Sequence, residues 1–188
     1  MVHPKRAKLS GKVEVDVTYV GGEEKGGKRR RSTENKSLVV IAVELLEGKK
    51  AMGRARMAVV PDASKESLQG FIKENIESGS VIVTDGWSSY TSLPQSGYGH
   101  VVIQKDEADD EENLTPHIHL IASLLKRWLL GTHQGAVEET HLQAYLDEYV
   151  FRFNRRKVVK RGLLFYHLLE NAMLVPPTTY KDLTHHDF

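Results

Sequence analysis

The stretch VEVDVTYVGG, Val13 to Gly22, sets a carboxylate, Asp16, inside a run that otherwise reads as a buried strand. Val13, Val15, Val17, Thr18, Tyr19 and Val20 are β-branched, apolar or aromatic, and Gly21-Gly22 breaks the run, so a strand is predicted over 13–20. Aspartate is disfavoured within strands and is rarely buried without a partner. Asp16 is therefore either a structural oddity at a strand position or one member of a ligand site.

Working outward, SLVVIAVELL (Ser37 to Leu46) reads as a nearly continuous apolar strand turned at Gly48. RARMAVVP (Arg54 to Pro61) reads as a third strand stopped by proline. Short links between these three imply an antiparallel start to a sheet. Ser64 is placed to cap a helix in which Leu68, Phe71, Ile72 and Ile76 recur at helical spacing, and Gly79 is expected to end it. SVIVTDGW (Ser80 to Trp87) and HVVIQ (His100 to Gln104) supply a fourth and a fifth strand. The acidic run 105–113 reads as a loop, as does the Gly- and charge-rich run 21–36. From Pro116 onward the pattern is helical: HIHLIASLLKRWLLG, AVEETHLQAYLDEYVFRFNRR and GLLFYHLLENAM. The expectation is an α/β fold, a mixed sheet of about five strands with the first three antiparallel, flanked by helices and ending in a helical C-terminal part. That order is found in RNase H-like folds, although order alone does not single them out. The boundaries are a basic extension over 1–12, one domain over 13–175 and a tail over 176–188.

Composition narrows the functional classes. The 188 residues suffice for one domain with a hydrophobic core, and 40% hydrophobic with 27% charged is ordinary for a globular protein. No apolar run approaches the roughly 20 residues that span a bilayer, and the basic start lacks the apolar segment of a secretory signal. The absence of cysteine excludes disulfides, thiolate zinc sites and a cysteine nucleophile, and a reducing cytoplasm is the default. The net charge of +1 conceals segregation into basic runs, Lys25 to Arg31 and Arg152 to Arg161, and an acidic one, Lys105 to Asn113. Balanced totals argue against a pure polyanion binder, while the clusters fit either phosphate contact or a solvated surface.

Asp85 repeats the puzzle of Asp16. It stands at the carboxyl end of an apolar strand, before Gly86, where α/β sheets place ligand groups. If the two strands are neighbours, two carboxylates share a site and repel unless a cation neutralises them. Mg²⁺, or Mn²⁺ in its place, suits such oxygen ligands, and paired ions activate hydroxyls at phosphodiesters. On the helix after Pro116, His119, Ser123 and Lys126 fall at i, i+4 and i+7, hence on one face, with Arg127 beside them. Ile118, Ile121, Leu125 and Leu129 would pack inward. His119 is suited to metal ligation or proton transfer, and Lys126 to holding a phosphate. His117 and His119, two apart, are expected to splay, which disfavours a zinc pair. Trp87 and Tyr90 suit either base stacking or core packing, with core packing preferred.

These segments resemble the catalytic domain of bacterial insertion-sequence transposases of the ISXO-like group, within the RNase H-like DDE superfamily. The resemblance rests on VEVDVTYVGG, VIVTDGWSSY, LLKRWLLGTHQGAVEETHLQAYLDEYVFRFNRR and GLLFYHLLENAM, spanning about 12 to 174. It implies Mg²⁺- or Mn²⁺-dependent cleavage of transposon ends and strand transfer by the freed 3′-OH, with double-stranded DNA as partner and a homo-oligomer as the active complex. By the same resemblance Asp16 and Asp85 match the first two metal-binding positions. His119, 34 positions after Asp85 and seven before Lys126, stands at the third, where relatives carry Glu. In Asn-type relatives the ligand falls at the position of Leu124, which cannot coordinate. Lys126 and Arg127 would hold phosphate, and Arg152, Arg155 and Arg156 would contact the DNA backbone. The family's N-terminal zinc ribbon has no counterpart here, so a separate DNA-end-recognition segment is implied. The expected location is the cytoplasm, at the nucleoid. The alternative is a catalytically inactive remnant with a binding or structural role.

Overall fold

Alternation along the first strand explains how it serves two cores at once. In the computed structural model, which describes residues 2–3, 5–21, 36–46, 51–103, 115–134, 137–177 and 179, β1 runs Lys12–Val20. The strands β2 (Ser37–Leu46) and β3 (Ala51–Val60) follow it, then the helix α1 (Lys65–Asn75) and the short strands β4 (Val81–Thr84) and β5 (Gly99–Val102). Single 3-10 turns at Ser88–Tyr90 and Pro94–Ser96 link β4 to β5. The helices α2 (Pro116–His133), α3 (Glu139–Asn154) and α4 (Gly162–Met173) complete the chain. The expected acidic loop lies outside the described residues, as do most of the 21–36 loop and of the tail.

The five strands lie in the order β3-β2-β1-β4-β5, with β3, β2 and β1 antiparallel and β4 and β5 parallel to β1. This is the mixed sheet expected, with helices on both faces. On one face Val13, Val15, Val40 and Ala42 pack against Leu68, Phe71 and Ile72 of α1. On the other, Val39, Ile41, Val43, Ala55 and Met57 meet Ile118, Ile121, Leu125 and Leu129 of α2, and Leu142, Leu146 and Val150 of α3. The middle of β2 is buried on both faces, which is why its sequence reads as an unbroken apolar run. Ser64 caps α1 as expected, its Oγ accepting from the Ser67 N–H at 3.2 Å. The helix ends at Asn75, before Gly79, because Ile76 turns extended and bridges to Leu9. Helix α4 attaches by a narrow stripe around Asn171, leaving Phe165 and Tyr166 largely exposed.

Edge strands present unpaired backbone groups that templates can capture. At β3, side-chain amides from α3 do the pairing. Asn154 accepts from the Ala55 N–H at 2.7 Å and donates to the Ala55 carbonyl at 3.0 Å, while Gln143 accepts from the Val59 N–H at 3.0 Å. Arg156, stacked 4.0 Å over Phe153, donates to the carbonyls of Gly53 and Met52. On the opposite side, Glu44 of β2 binds the Arg54 guanidinium at 2.6 Å and accepts from the Ser10 N–H at 3.0 Å. Burial works to raise its carboxyl pKa, but the bonds from Arg54 and Ser10 and the Arg54 charge outweigh burial and hold it below the ordinary 4.5.

Two stability outcomes follow. Asn154→Ala leaves the Ala55 N–H without its partner and removes one of the two donors to the Ala55 carbonyl, the other being Arg56, and should cost about 1–3 kcal/mol in urea unfolding, more than Gln143→Ala, which frees one N–H. Equal losses would mean the edge is not held by paired amides. Because the native pKa of Glu44 lies below its unfolded value, its contribution is complete above pH 4.5 and lost as pH falls through the native value. Glu44→Gln should therefore melt lower than wild type at neutral pH and converge with it in acid; a constant gap at all pH values would contradict the assignment.

Candidate active site

The face of β1 turned to α2 carries Glu14, Asp16 and Thr18, and each binds a different part of the helix segment. Glu14 is 1% exposed. Its Oε1 accepts from the Ile118 N–H and its Oε2 pairs with His117 Nδ1, both at 2.9 Å. The first N–H groups of a helix have no partner within it and carry partial positive charge, so a carboxylate is stabilised there. Thr115, the residue before the helix, makes no cap of its own. Its Oγ1 instead donates to Asp16 Oδ2 at 2.6 Å. Farther along, Lys126 Nζ donates to Thr18 Oγ1 at 2.9 Å. Burial lowers the Lys126 pKa, and the charge of Lys36 adds to the effect.

Asp16 is held at both oxygens, since Oδ1 also accepts from the Val17 N–H at 2.7 Å. Its side chain is 14% exposed. Burial raises its pKa above 3.8 and wins over the opposing bonds from Thr115 and Val17; the charge of Asp85 raises it further and that of His119 lowers it. Asp85 is the partner the sequence suggests. The parallel register pairs Lys12 with Val81, Val13 with Ile82 and Glu14 with Val83, and the same register carried two residues past the last pair, just beyond the end of β4 at Thr84, would bring Asp16 level with Asp85. Level residues of a parallel pair lie on the same face.

Local structure beyond β4 fixes Asp85. Gly86 has φ of 86°, and a Cβ there would meet Val102 Cγ1 at 2.7 Å, so the turn requires glycine on both counts. The Gly86 N–H donates to Thr84 Oγ1 at 3.2 Å, which also pairs with His100 Nε2 at 2.9 Å. The Trp87 N–H donates back to Asp85 Oδ1 at 3.2 Å. Trp87 is 56% exposed, whereas Tyr90, at 1%, belongs to the core on the α1 side, the preferred alternative for that ring.

His119 lies beside the pair, with Nε2 4.0 Å from Asp16 Oδ2 and its side chain 54% exposed. The two histidines splay as expected, but along β1, His117 to Glu14 and His119 to Asp16. Leu124 is 38% exposed on α2. Among the described residues no three acidic or histidine side chains converge at metal-binding distance. Two carboxylates, one destabilised by burial and by the other, are nevertheless the donor set a hard divalent cation neutralises. Asp16, Asp85 and Lys126 thus gather around one end of β1, with His119 at the margin.

The remaining expected residues lie farther off. Arg127 is exposed on α2. On α3, Arg152 pairs with Glu148 at 2.7 Å and Arg155 stacks 3.9 Å from the Phe151 ring, while Arg156 serves the β3 edge. Glu14, Thr18 and Thr115 were not anticipated. The alternation Glu14-Asp16-Thr18 carried the signal, because three polar residues at period two mark one polar face.

Comparison with known proteins bears on the fold and the family. No curated protein matches the sequence. Among solved structures, a chain of the cryo-EM structure of the simian T-cell lymphotropic virus intasome in complex with the PP2A regulatory subunit B56 gamma is similar in fold. The TM-score is 0.51 at 14% identity, covering 85% of this chain and 54% of that one, so this chain spans about half its length. The fold is therefore RNase H-like. The family model for the ISXO2-like transposase domain matches residues 8–154, most of the sequence, and the chain belongs to that family.

Proposed function

We propose that this chain is the catalytic domain of a DNA transposase that cleaves the ends of its element and joins the freed 3′-OH to target DNA. The observation that supports the reading is the parallel pairing of β1 with β4, whose register runs toward Asp16 and Asp85, together with the charge of Asp85 acting on Asp16. In the first step a water oxygen attacks phosphorus at the element end, the P–O3′ bond breaks and the departing oxygen takes up a proton. In the second, the 3′-OH attacks a phosphorus of the target, gives up its proton and displaces a target 3′ oxygen, so the number of phosphodiester bonds is unchanged.

Mg²⁺ or Mn²⁺ bound by Asp16 and Asp85, with His119 completing the set, would supply the positive charge that offsets both the carboxylates and the attacked phosphate. Thr115 and the Val17 N–H orient Asp16, and Trp87 N–H orients Asp85. Lys126, held at Thr18, and Arg127 are assigned to DNA phosphates near the site, and Arg152, Arg155 and Arg156 to the backbone farther along. Double-stranded DNA, a homo-oligomeric complex, a separate end-recognition segment and a cytoplasmic, nucleoid-associated location belong to the same proposal. A second reading, a scaffold that binds DNA without cutting it, draws on the exposed His119 and on Leu124.

Strand transfer on end-bearing DNA with Mg²⁺ or Mn²⁺ separates the two readings. Asp16→Asn and Asp85→Asn should each abolish both steps, and full activity in either would remove the two-carboxylate assignment. Since the native pKa of Asp16 is raised, its charge opposes folding once pH exceeds that value. In chelator at neutral pH, Asp16→Asn should therefore melt no lower than wild type. A large loss would instead mark Asp16 as structural.

His119→Ala should slow cleavage if the imidazole completes the ligand set, and Leu124→Asn should then bring no gain. Silence of the first with a gain from the second would move the third ligand to position 124.

A further inference from the structure

A guanidinium is buried at the β3 edge without a counter-ion. Arg56, 5% exposed, pairs in register with Ala42, whose side chain packs toward α1. Asp16 pairs with Ile41, which packs toward α2, so Arg56 and Asp16 leave the sheet on opposite faces. Arg56 Nη1 donates to the Ala55 carbonyl at 3.1 Å and Nη2 to the Ala7 carbonyl at 2.8 Å. Both acceptors are neutral, and among the described residues no carboxylate forms an ion pair with Arg56. A charge taken out of water without a partner is costly. Burial, with the charges of Arg6 and Arg54, brings its pKa down to about 10 against the opposing charge of Glu44.

Arg56 lines a cavity of about 440 Å³ between the segment before β1, the β3 edge, α3 and α4. Arg6, Arg54 and Arg155 line it too, as do the carboxylates Asp147 and Glu170. These charges do not cancel. Arg54 is committed to Glu44 at 2.6 Å, and Glu170 pairs with His167 at 3.2 Å. Arg6 donates to Asn75 Oδ1 at 3.1 Å, and Arg155 lies 3.9 Å over the Phe151 ring. Asp147, bonded to Gln143 at 3.1 Å, is the carboxylate that remains among the described lining residues to face Arg6, Arg56 and Arg155. The walls therefore carry an excess of positive charge around a space large enough for a phosphate and part of the group that bears it. A guanidinium stacked on a ring keeps its edge N–H groups for such an anion, and its planar fork matches phosphate oxygens in pairs.

We propose that this cavity is a binding site for a phosphate group, held by Arg6, Arg56 and Arg155 and distinct from the Asp16 and Asp85 site on the other face of the sheet. The anion supplies the counter-charge that Arg56 lacks, and its oxygens take N–H donors that the two carbonyl bonds leave over. Because the walls come from four separate segments, a bound phosphate fastens the chain before β1 and α4 to the β3 edge. The phosphate is that of a small ligand or of a DNA backbone, and the chemistry of recognition is the same for both.

The test is titration calorimetry and melting of the full chain in sodium phosphate, with sodium chloride holding the ionic strength constant. Wild type should bind phosphate saturably and melt higher in its presence. Arg6→Gln and Arg155→Gln remove wall cations while leaving the two carbonyl bonds of Arg56 in place. Each should weaken phosphate binding about 10- to 100-fold, the effect of losing one charge-assisted hydrogen bond. Asp147→Asn should tighten binding several-fold, because a like charge leaves the cavity; damage to the fold would not produce that sign. A wild type without a saturable phosphate response overturns the site, and so does binding that all three variants leave unchanged. Anisotropy of a labelled DNA duplex then identifies the source. Duplex binding that phosphate displaces and Arg155→Gln weakens supports the site with a DNA backbone as its ligand. Duplex binding indifferent to both, beside calorimetric phosphate binding, supports it with a small phosphorylated ligand. None of these readouts involves Asp16 or Asp85, so failure here leaves the transposase reading standing.

Discussion

Glu14 is almost wholly buried, and its charge is tolerable only because the first turn of α2 meets it. A charge-assisted hydrogen bond of this kind contributes about 1.5–3 kcal/mol, and a helix N-terminus adds up to about 2 kcal/mol in partly buried settings. The consequence for the site is positional. Anchoring Ile118 and His117 to Glu14 decides where α2 starts along β1. That start sets Thr115 against Asp16, His119 beside it and Lys126 against Thr18. Had α2 begun one residue later, its side chains would be rotated by about 100° and the polar face of β1 would meet leucines.

The second constraint is the parallel pairing of β1 with β4, which brings two aspartates 69 positions apart close enough for the charge of one to act on the other. Nothing in the local packing rewards this. Asp16 is destabilised by burial and by Asp85, and the tight turn at Gly86 allows no other residue. Locally unfavourable charge retained in an otherwise well-packed sheet is characteristic of sites kept for chemistry rather than for folding. The apolar face of the same strand makes this affordable, because Val13 and Val15 are fully buried against α1.

Much of this was legible in the sequence, and the failures share one cause. The five strands and four helices follow from alternation, helical spacing and breakers, all local signals; the edges moved by a few residues, as when β3 began at Ala51 and α1 stopped at Asn75. Asp16 and Asp85 could be paired because each stood out in an apolar run. Glu14 did not stand out, because its partners lie more than 100 positions away and no local rule marks a strand carboxylate as the cap of a distant helix. For the same reason Asn154 and Gln143 read as ordinary polar helix residues, although they complete the β3 edge. Family resemblance supplied what periodicity could not, namely which of the helix residues should face the carboxylates.

The basic residues show how tertiary context engages charge within the fold. RFNRRK reads as a phosphate-binding run, yet Arg156 is spent on β3 carbonyls, Arg155 lies on Phe151 and Arg152 is tied to Glu148. A guanidinium already donating to edge-strand carbonyls has fewer donors left for other partners. Lys126 is different. Its one bond among the described residues is to a neutral hydroxyl, and partial desolvation at this exposed helix position, with the charge of Lys36, lowers its pKa. Under the proposed function, a phosphate brought there would supply the counter-charge that Thr18 cannot. The helix that closes the core over β1 thus sets Thr115 against Asp16 and Lys126 against Thr18 on one face, and both placements follow from the single anchor at Glu14.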